Sequence, residues 1–228
     1  MLRSILTLLF STFLLISCKS DKNSDAFINN SSGRYFFNAD EAIEVYFKDN
    51  VLFVKWRNKE LKPLKVNDST FYVREMNEKL VFNIDKNQIQ LAPKREHHDK
   101  EYVFAKLKNG EKTPKEYLKD NNYEKALAGY LAIQKKDSLS PIIRQRTLNR
   151  LGYSYLREGE TENAINVFKI NTVLYPKSSN TFDSLGDAYL KNNDTLNAID
   201  NYKKALTINS ENRSSKRKLD ELTKKKKQ

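Results

Sequence analysis

Two stretches in the second half of this 228-residue chain repeat each other at an interval of 34 residues. Leu151-Gly152-x-x-Tyr155 recurs as Leu185-Gly186-x-x-Tyr189. Ala164 recurs as Ala198, Phe168 as Tyr202, and Pro176 as Ser210. A period of 20–50 residues marks stacked supersecondary units, none large enough to bury its apolar face alone. Within each unit the apolar spacing is that of a helix. The residue types follow from the packing. Gly152 and Gly186 fall where two helices of a hairpin come closest, with Ala164 and Ala198 as small residues on the second helix. Tyr155, Phe168, Tyr189 and Tyr202 supply the rings that fill the space between layers, and Pro176 ends a helix.

The pattern L-G-x-x-Y…A-x-x-x-F…P resembles the tetratricopeptide signature. The resemblance covers roughly 145–212, with full repeats at about 145–178 and 179–212. An upstream unit is degenerate. Asn122-Tyr123-Glu124-Lys125-Ala126 and Tyr130 look like a second repeat helix, but Ala126 precedes Ala164 by 38 residues, so 137–141 carries an insertion. Pro114 stands where a glycine is wanted, so the helix before Asn122 must be short. Residues 213–223 are expected to form the polar capping helix such arrays require. The whole helical domain is placed at 113–223.

In this family the first helix of each repeat lines a concave face. Carried over by position, the candidate peptide groove is Arg146, Asn149, Arg150, Tyr153 and Arg157, followed by Asn180, Asp183, Ser184, Asp187 and Lys191. Such a polar mixture with one aromatic suits an extended peptide or a loop. The carboxylate clamp of chaperone-binding members is not supported, because Tyr153 and Ser184 replace two of its asparagines.

The first half reads differently. From Gly33 to about Leu107 the apolar period is two. Ile43, Val45 and Phe47 alternate with Glu44, Tyr46 and Lys48. Asp49-Asn50 follows, then Val51 to Trp56. Two strand-like runs split by two turn residues predict a hairpin. Further short runs lie at 71–74, 80–84, 89–91 and 102–107, a spacing that suggests about seven short strands in all. An antiparallel meander, closed or strongly curled, is expected over 33–108. The fold class is therefore α+β: a small barrel-like β domain followed by an all-α repeat array. Gly33-Arg34-Tyr35, "DNVLFVKW" and "KLVFNID" resemble the small β-module found after the catalytic domain of many serine β-lactamase-like hydrolases of Bacteroidetes-type bacteria. The repeat segment resembles the tails of the same group. The resemblance implies kinship to the accessory modules only, without the catalytic domain.

The N-terminus indicates a compartment. Arg3 precedes an almost wholly apolar run, Ile5 to Ile16, which is too short to span a bilayer. A charged start, a short apolar core and a small residue before a cut site describe a secretory signal. Leu15-Ile16-Ser17-Cys18 resembles the bacterial lipoprotein lipobox, and Cys18 is the chain's one cysteine. The resemblance implies cleavage of residues 1–17 and lipidation at Cys18, palmitate included. Residues 18–32 are expected to be a flexible tether on a cell-envelope protein, at the outer membrane or the periplasmic face.

The formal charge is +12, and residues 211–228 contain Arg213, Lys216, Arg217, Lys218 and Lys224 to Lys227. This tail, with 224–228 as its basic end, is a candidate site for anionic lipid or envelope polymer. Nucleic acid is not an expected partner of an exported protein. Glu96-His97-His98-Asp99 lies in a predicted connection and is assigned no metal. No Gly-x-Ser-x-Gly, P-loop or His-Glu-x-x-His occurs. The one Ser-x-x-Lys, Ser215 to Lys218, sits in the basic final helix. No catalytic residue and no cofactor is expected. The expected function is a non-catalytic anchored adaptor for envelope proteins. The alternatives are an accessory subunit of a separately encoded serine hydrolase, or a binder of anionic polymer.

Overall fold

The computed structural model describes residues 21–225. The expected signal segment 1–17, the expected lipidation site Cys18 and the last three residues of the basic tail lie outside the described residues.

The β-rich half grows from two tight turns. Strand β2 (Ala42–Lys48) passes through Asp49 and Asn50 into β3 (Val51–Trp56), with Lys48 opposite Val51. Both turn residues have positive φ, 49° and 64°, the conformation that matches the natural twist of paired strands. Arg57 and Asn58 repeat the device, at 50° and 60°, and lead into β4 (Lys59–Leu61). β1 (Gly33–Phe36) joins the other side of β2, giving a four-stranded sheet in chain order. After a corner at Pro63 a second sheet follows, also in chain order: β5 (Leu64–Lys65), β6 (Thr70–Val73), β7 (Glu78–Asn83), β8 (Gln88–Leu91) and β9 (Val103–Ala105). Every pairing is antiparallel. The meander curls until β1 meets the end of β9, where Tyr35 bridges Lys106 and Leu107 N–H donates to the Arg34 carbonyl at 2.7 Å. The inward faces bury Tyr35, Ile43, Val45, Leu52, Val54, Phe71, Leu80, Phe82 and Ile89, among others.

Residues 21–32 are not a tether. Asn23 is buried, and both its backbone N–H and its side-chain amide donate to the Asn50 carbonyl. Ser24 caps helix α1 (Asp25–Ser31), accepting from Phe27 N–H. Phe27 then stacks on Phe71, with centroids 5.6 Å apart, and meets Phe47 and Phe82 edge-on. One aromatic residue in a polar stretch is enough to fasten it, and composition averaged over the stretch hides that. The histidine stretch is a connection as expected but is not solvated at His97, whose ring packs on Tyr102 with Nε2 3.0 Å from Glu78 Oε1.

The second half is helical: α2 (Pro114–Lys119), α3 (Tyr123–Lys136), α4 (Gln145–Glu158), α5 (Thr161–Leu174), α6 (Ser179–Lys191), α7 (Thr195–Ile208) and α8 (Arg213–Lys225). A Cβ on Gly152 would lie 2.5 Å from the Phe168 ring, and one on Gly186 2.6 Å from the Tyr202 ring. These glycines set how closely α4–α5 and α6–α7 approach. In the degenerate first unit the roles are exchanged. Pro114 holds the glycine's position on the first helix, and Gly129 on the second makes room for it, with a Cβ there only 2.6 Å from Pro114 Cγ. Proline at the first position also explains the short α2, since it starts a helix well and continues one badly. Thr113 and Glu116 cap this helix reciprocally.

The two halves are joined firmly. Arg34 of β1 makes a two-pronged ion pair with Glu116 of α2, at 2.5 and 2.6 Å. The Ala39 carbonyl accepts from Lys115 N–H, and Ala39 itself is buried in the helical core. Burial works against the Glu116 charge, but hydrogen bonds from Arg34 and Thr113 outweigh it and hold the carboxyl below its usual range.

Candidate docking face

Helices α4 and α6 carry all ten groove candidates. On α4, Arg146, Arg150 and Arg157 are exposed and have no ion-pair partner among the described residues. Together with half-buried Asn149 and Tyr153 they form one stripe, because spacings of three, four and seven residues share a helix face. On α6, Asn180 and Lys191 are exposed.

The other three candidates belong to a closed network. Asp183 and Ser184 are buried, at 7% and 1% exposure, and so line no open surface. The capping helix α8 reaches Asp183, and Tyr153 of α4 reaches Ser184 at 3.3 Å. Ser215 Oγ donates to Asp183 Oδ1 at 2.7 Å. Lys218 reaches between two carboxylates, 3.6 Å from Asp183 Oδ2 and in direct contact with Asp187. Asp187 also accepts from Tyr202 and Tyr153, each at 2.8 Å. Burial pushes both tyrosine hydroxyls well above their usual range, and the Asp187 charge adds to it, while the Ser184 hydrogen bond to Tyr153 pulls the other way. Both rings therefore stay neutral donors. Tyr153 is locked twice, by Asp187 and by its edge-on contact with Phe168, whose centroid is 5.2 Å away.

In the sequence Ser215 and Lys218 stand out only as a Ser-x-x-Lys spacing in a basic helix. The structure gives them a packing role, each turned into an acidic partner on α6. The signal was present: two acids one helical turn apart, Asp183 and Asp187, need two donors from the element packed on them. Lys218 is thus spent inside the fold, and Arg217 pairs with Glu221 at 3.9 Å, so the tail offers fewer free cations than its composition suggests.

The repeat-packing residues meet as the 34-residue interval requires. Tyr155, Ala164, Phe168, Leu185, Ala198 and Tyr202 are buried, and Leu151 and Tyr189 pack partly exposed against the helical core. Among the described residues no group of three or more His, Cys, Asp or Glu is placed to hold a metal. No described helix is long and apolar enough to cross a membrane.

A family model for the tetratricopeptide repeat matches residues 145–169 and 180–212. No curated protein matches the chain. Among solved structures, the first tetratricopeptide domain of Spaghetti (RPAP3), bound to the HSP90 peptide SRMEEVD, is 15% identical over 50% of this chain and 88% of its own, with a TM-score of 0.36. The Sgt2 tetratricopeptide domain from Aspergillus fumigatus is 23% identical over 50% of this chain and 74% of its own, with a TM-score of 0.36. MamA is 23% identical over 50% of this chain and 65% of its own, with a TM-score of 0.34. Residues 145–169 and 180–212 are thus similar to the tetratricopeptide repeat, a fold that in general serves protein interaction.

Proposed function

We propose that this chain is a non-catalytic, lipid-anchored protein of the bacterial cell envelope that holds an extended segment of another envelope protein against α4 and the exposed ends of α6. The observation that carries the docking role is the α4 stripe. Arg146, Arg150 and Arg157 stand free of ion pairs among the described residues around a tyrosine that is already immobilised. Arginine's fixed fork of donors suits carboxylate and backbone carbonyl acceptors, and a pre-ordered aromatic contributes contact at little entropic cost. The segment it suits is extended and carries acidic groups. The anchor reading rests on Leu15-Ile16-Ser17-Cys18, and an accessory role beside a separate hydrolase rests on sequence resemblance alone.

Photo-crosslinking in the native envelope tests the docking role. A photoreactive residue in place of Arg150 should yield a discrete adduct with one protein, and one in place of exposed Lys204 on α7 should not. Equal adducts from both positions would refute the assignment. Metabolic labelling with palmitate should mark the wild type and leave Cys18→Ala unlabelled; label on the variant would remove the anchor.

A further inference from the structure

A second concavity lies away from α4, where the truncated first unit meets the barrel seam. It has a volume of about 460 Å³, within the usual range for small-molecule sites. One wall is a stripe of α3, from Lys125 through Ala128, Gly129, Ala132 and Ile133 to Lys136. The other wall is Phe36 and Leu107 at the seam, with Pro114 and Tyr117 of α2. From Lys125 to Lys136 the stripe rises eleven residue steps, about 16 Å at the helical rise. The groove exists because α2 is short: residues 108–113, which would continue a full-length first helix, run as non-helical chain instead.

The chemistry of the lining selects an occupant. The walls are apolar, and charge is confined to the rim. Lys125 and Lys136 are exposed there without a carboxylate partner among the described residues, while Lys112 is held by Asp120. Lys106 donates to the Asn30 carbonyl, and burial lowers its affinity for a proton, so a nearby anion would favour its charged form. Glu111 is the single acid at the rim. The backbone around the groove is already paired, within α3 and across the seam through Leu107 N–H and the Arg34 carbonyl. A peptide lying there would leave its own amides unsatisfied, which is costly away from water. A hydrocarbon chain has none to satisfy.

We infer that this groove binds a fatty acid, its acyl chain along the small-residue stripe of α3 and its carboxylate at the lysine rim. The site is separate from the α4 face and does not depend on the docking role.

The test is calorimetric titration of the full chain with octanoate, decanoate, dodecanoate and tetradecanoate below their micelle concentrations, with 1-dodecanol as the uncharged control. One-to-one saturable binding is expected. Each added methylene should tighten it about fourfold until the groove is filled, and dodecanol should bind at least tenfold more weakly than dodecanoate. Ala132→Trp fills the groove from an exposed position and should abolish binding without lowering Tm; Ala128→Trp serves as a second blocking variant if the first is unstable. The double substitution Lys125→Glu and Lys136→Glu should erase the preference for the carboxylate. Non-saturable uptake, undiminished binding by both tryptophan variants, or equal affinity for the alcohol would overturn the inference.

Discussion

Tyr153 and Asp187 occupy the same position in consecutive repeats, 34 residues apart, and the Tyr153 hydroxyl donates to Asp187 Oδ2 at 2.8 Å. The contact couples the two repeats across their first helices, α4 and α6. It also ties the α4 face to the cap, because Asp187 is the residue Lys218 of α8 is in contact with. The exposed stripe on α4 is therefore supported from behind by a buried polar network rather than by apolar packing alone.

Removing the cation from that network should be costly. Lys218→Ala leaves Asp183 and Asp187 partly buried without their charge partner, and a broken buried pair costs on the order of 3 kcal/mol. With Lys218 at 17% side-chain exposure, the lower part of that range applies. Thermal denaturation should show the loss, and Asp187→Asn in the same background should restore part of it.

The glycines of the two full repeats should resist even a methyl group. Gly152→Ala places a Cβ 2.5 Å from the Phe168 ring, and overpacking of this kind costs about 1–3 kcal/mol. A Tm lowered by about 2–4 °C per kcal/mol is expected for a domain of this size. Trimming the ring in a Gly152→Ala, Phe168→Leu double variant should recover part of the loss. Gly129→Ala should behave like Gly152→Ala although it lies on the second helix of its unit.

The junction should depend on pH in a definite direction. Arg34 and Thr113 hold the Glu116 carboxyl below its usual value of 4.5 in the folded state. Its contribution is therefore complete above about pH 4.5 and is lost as pH falls through the lower folded value. Asp40 opposes it, since burial raises its carboxyl despite Lys115. Arg34→Gln isolates the Glu116 effect. The variant should be less stable than wild type by about 0.5–1 kcal/mol at neutral pH, as befits a half-exposed pair, and the gap should close as the pH falls below 4.5. A gap unchanged down to pH 3 would exclude this pairing as its cause.

Phe27 should supply most of the apolar hold on helix α1, beside the hydrogen bonds from Tyr35 and Lys106 to its last turn. Phe27→Ala removes a partly buried ring that touches three others, at a cost of about 2–3 kcal/mol, below that of a fully buried Phe. Hydrogen exchange should then show α1 opening ahead of the strands.

How much of this was legible depends on whether a feature is set locally. Asp49-Asn50 announces its hairpin because the turn chemistry is local. Arg57-Asn58 adopts the same conformation without the usual residues, so its three-residue partner β4 carries no local signal, and among the described residues nine strands stand where the spacing predicts about seven. The repeats were legible because each ring must face a glycine or alanine at a fixed interval. The exchange of Pro114 and Gly129 was half legible: the proline was out of place, but its partner is found only when the helices are packed. The exposed stripe on α4 follows from helical spacing. The burial of Asp183 and Ser184 does not, because it depends on where α8 and α4 settle against α6, and only tertiary packing decides that.

The proposed docking role of the α4 arginine stripe is measured most directly by the affinity of the crosslinked partner segment. With that segment as a synthetic peptide, the triple substitution of Arg146, Arg150 and Arg157 by Ala should weaken binding at least tenfold, and added salt should weaken the wild type toward the variant. Lys203→Ala with Lys204→Ala on α7 should change nothing. Equal affinity of the arginine variant and the wild type would contradict the account.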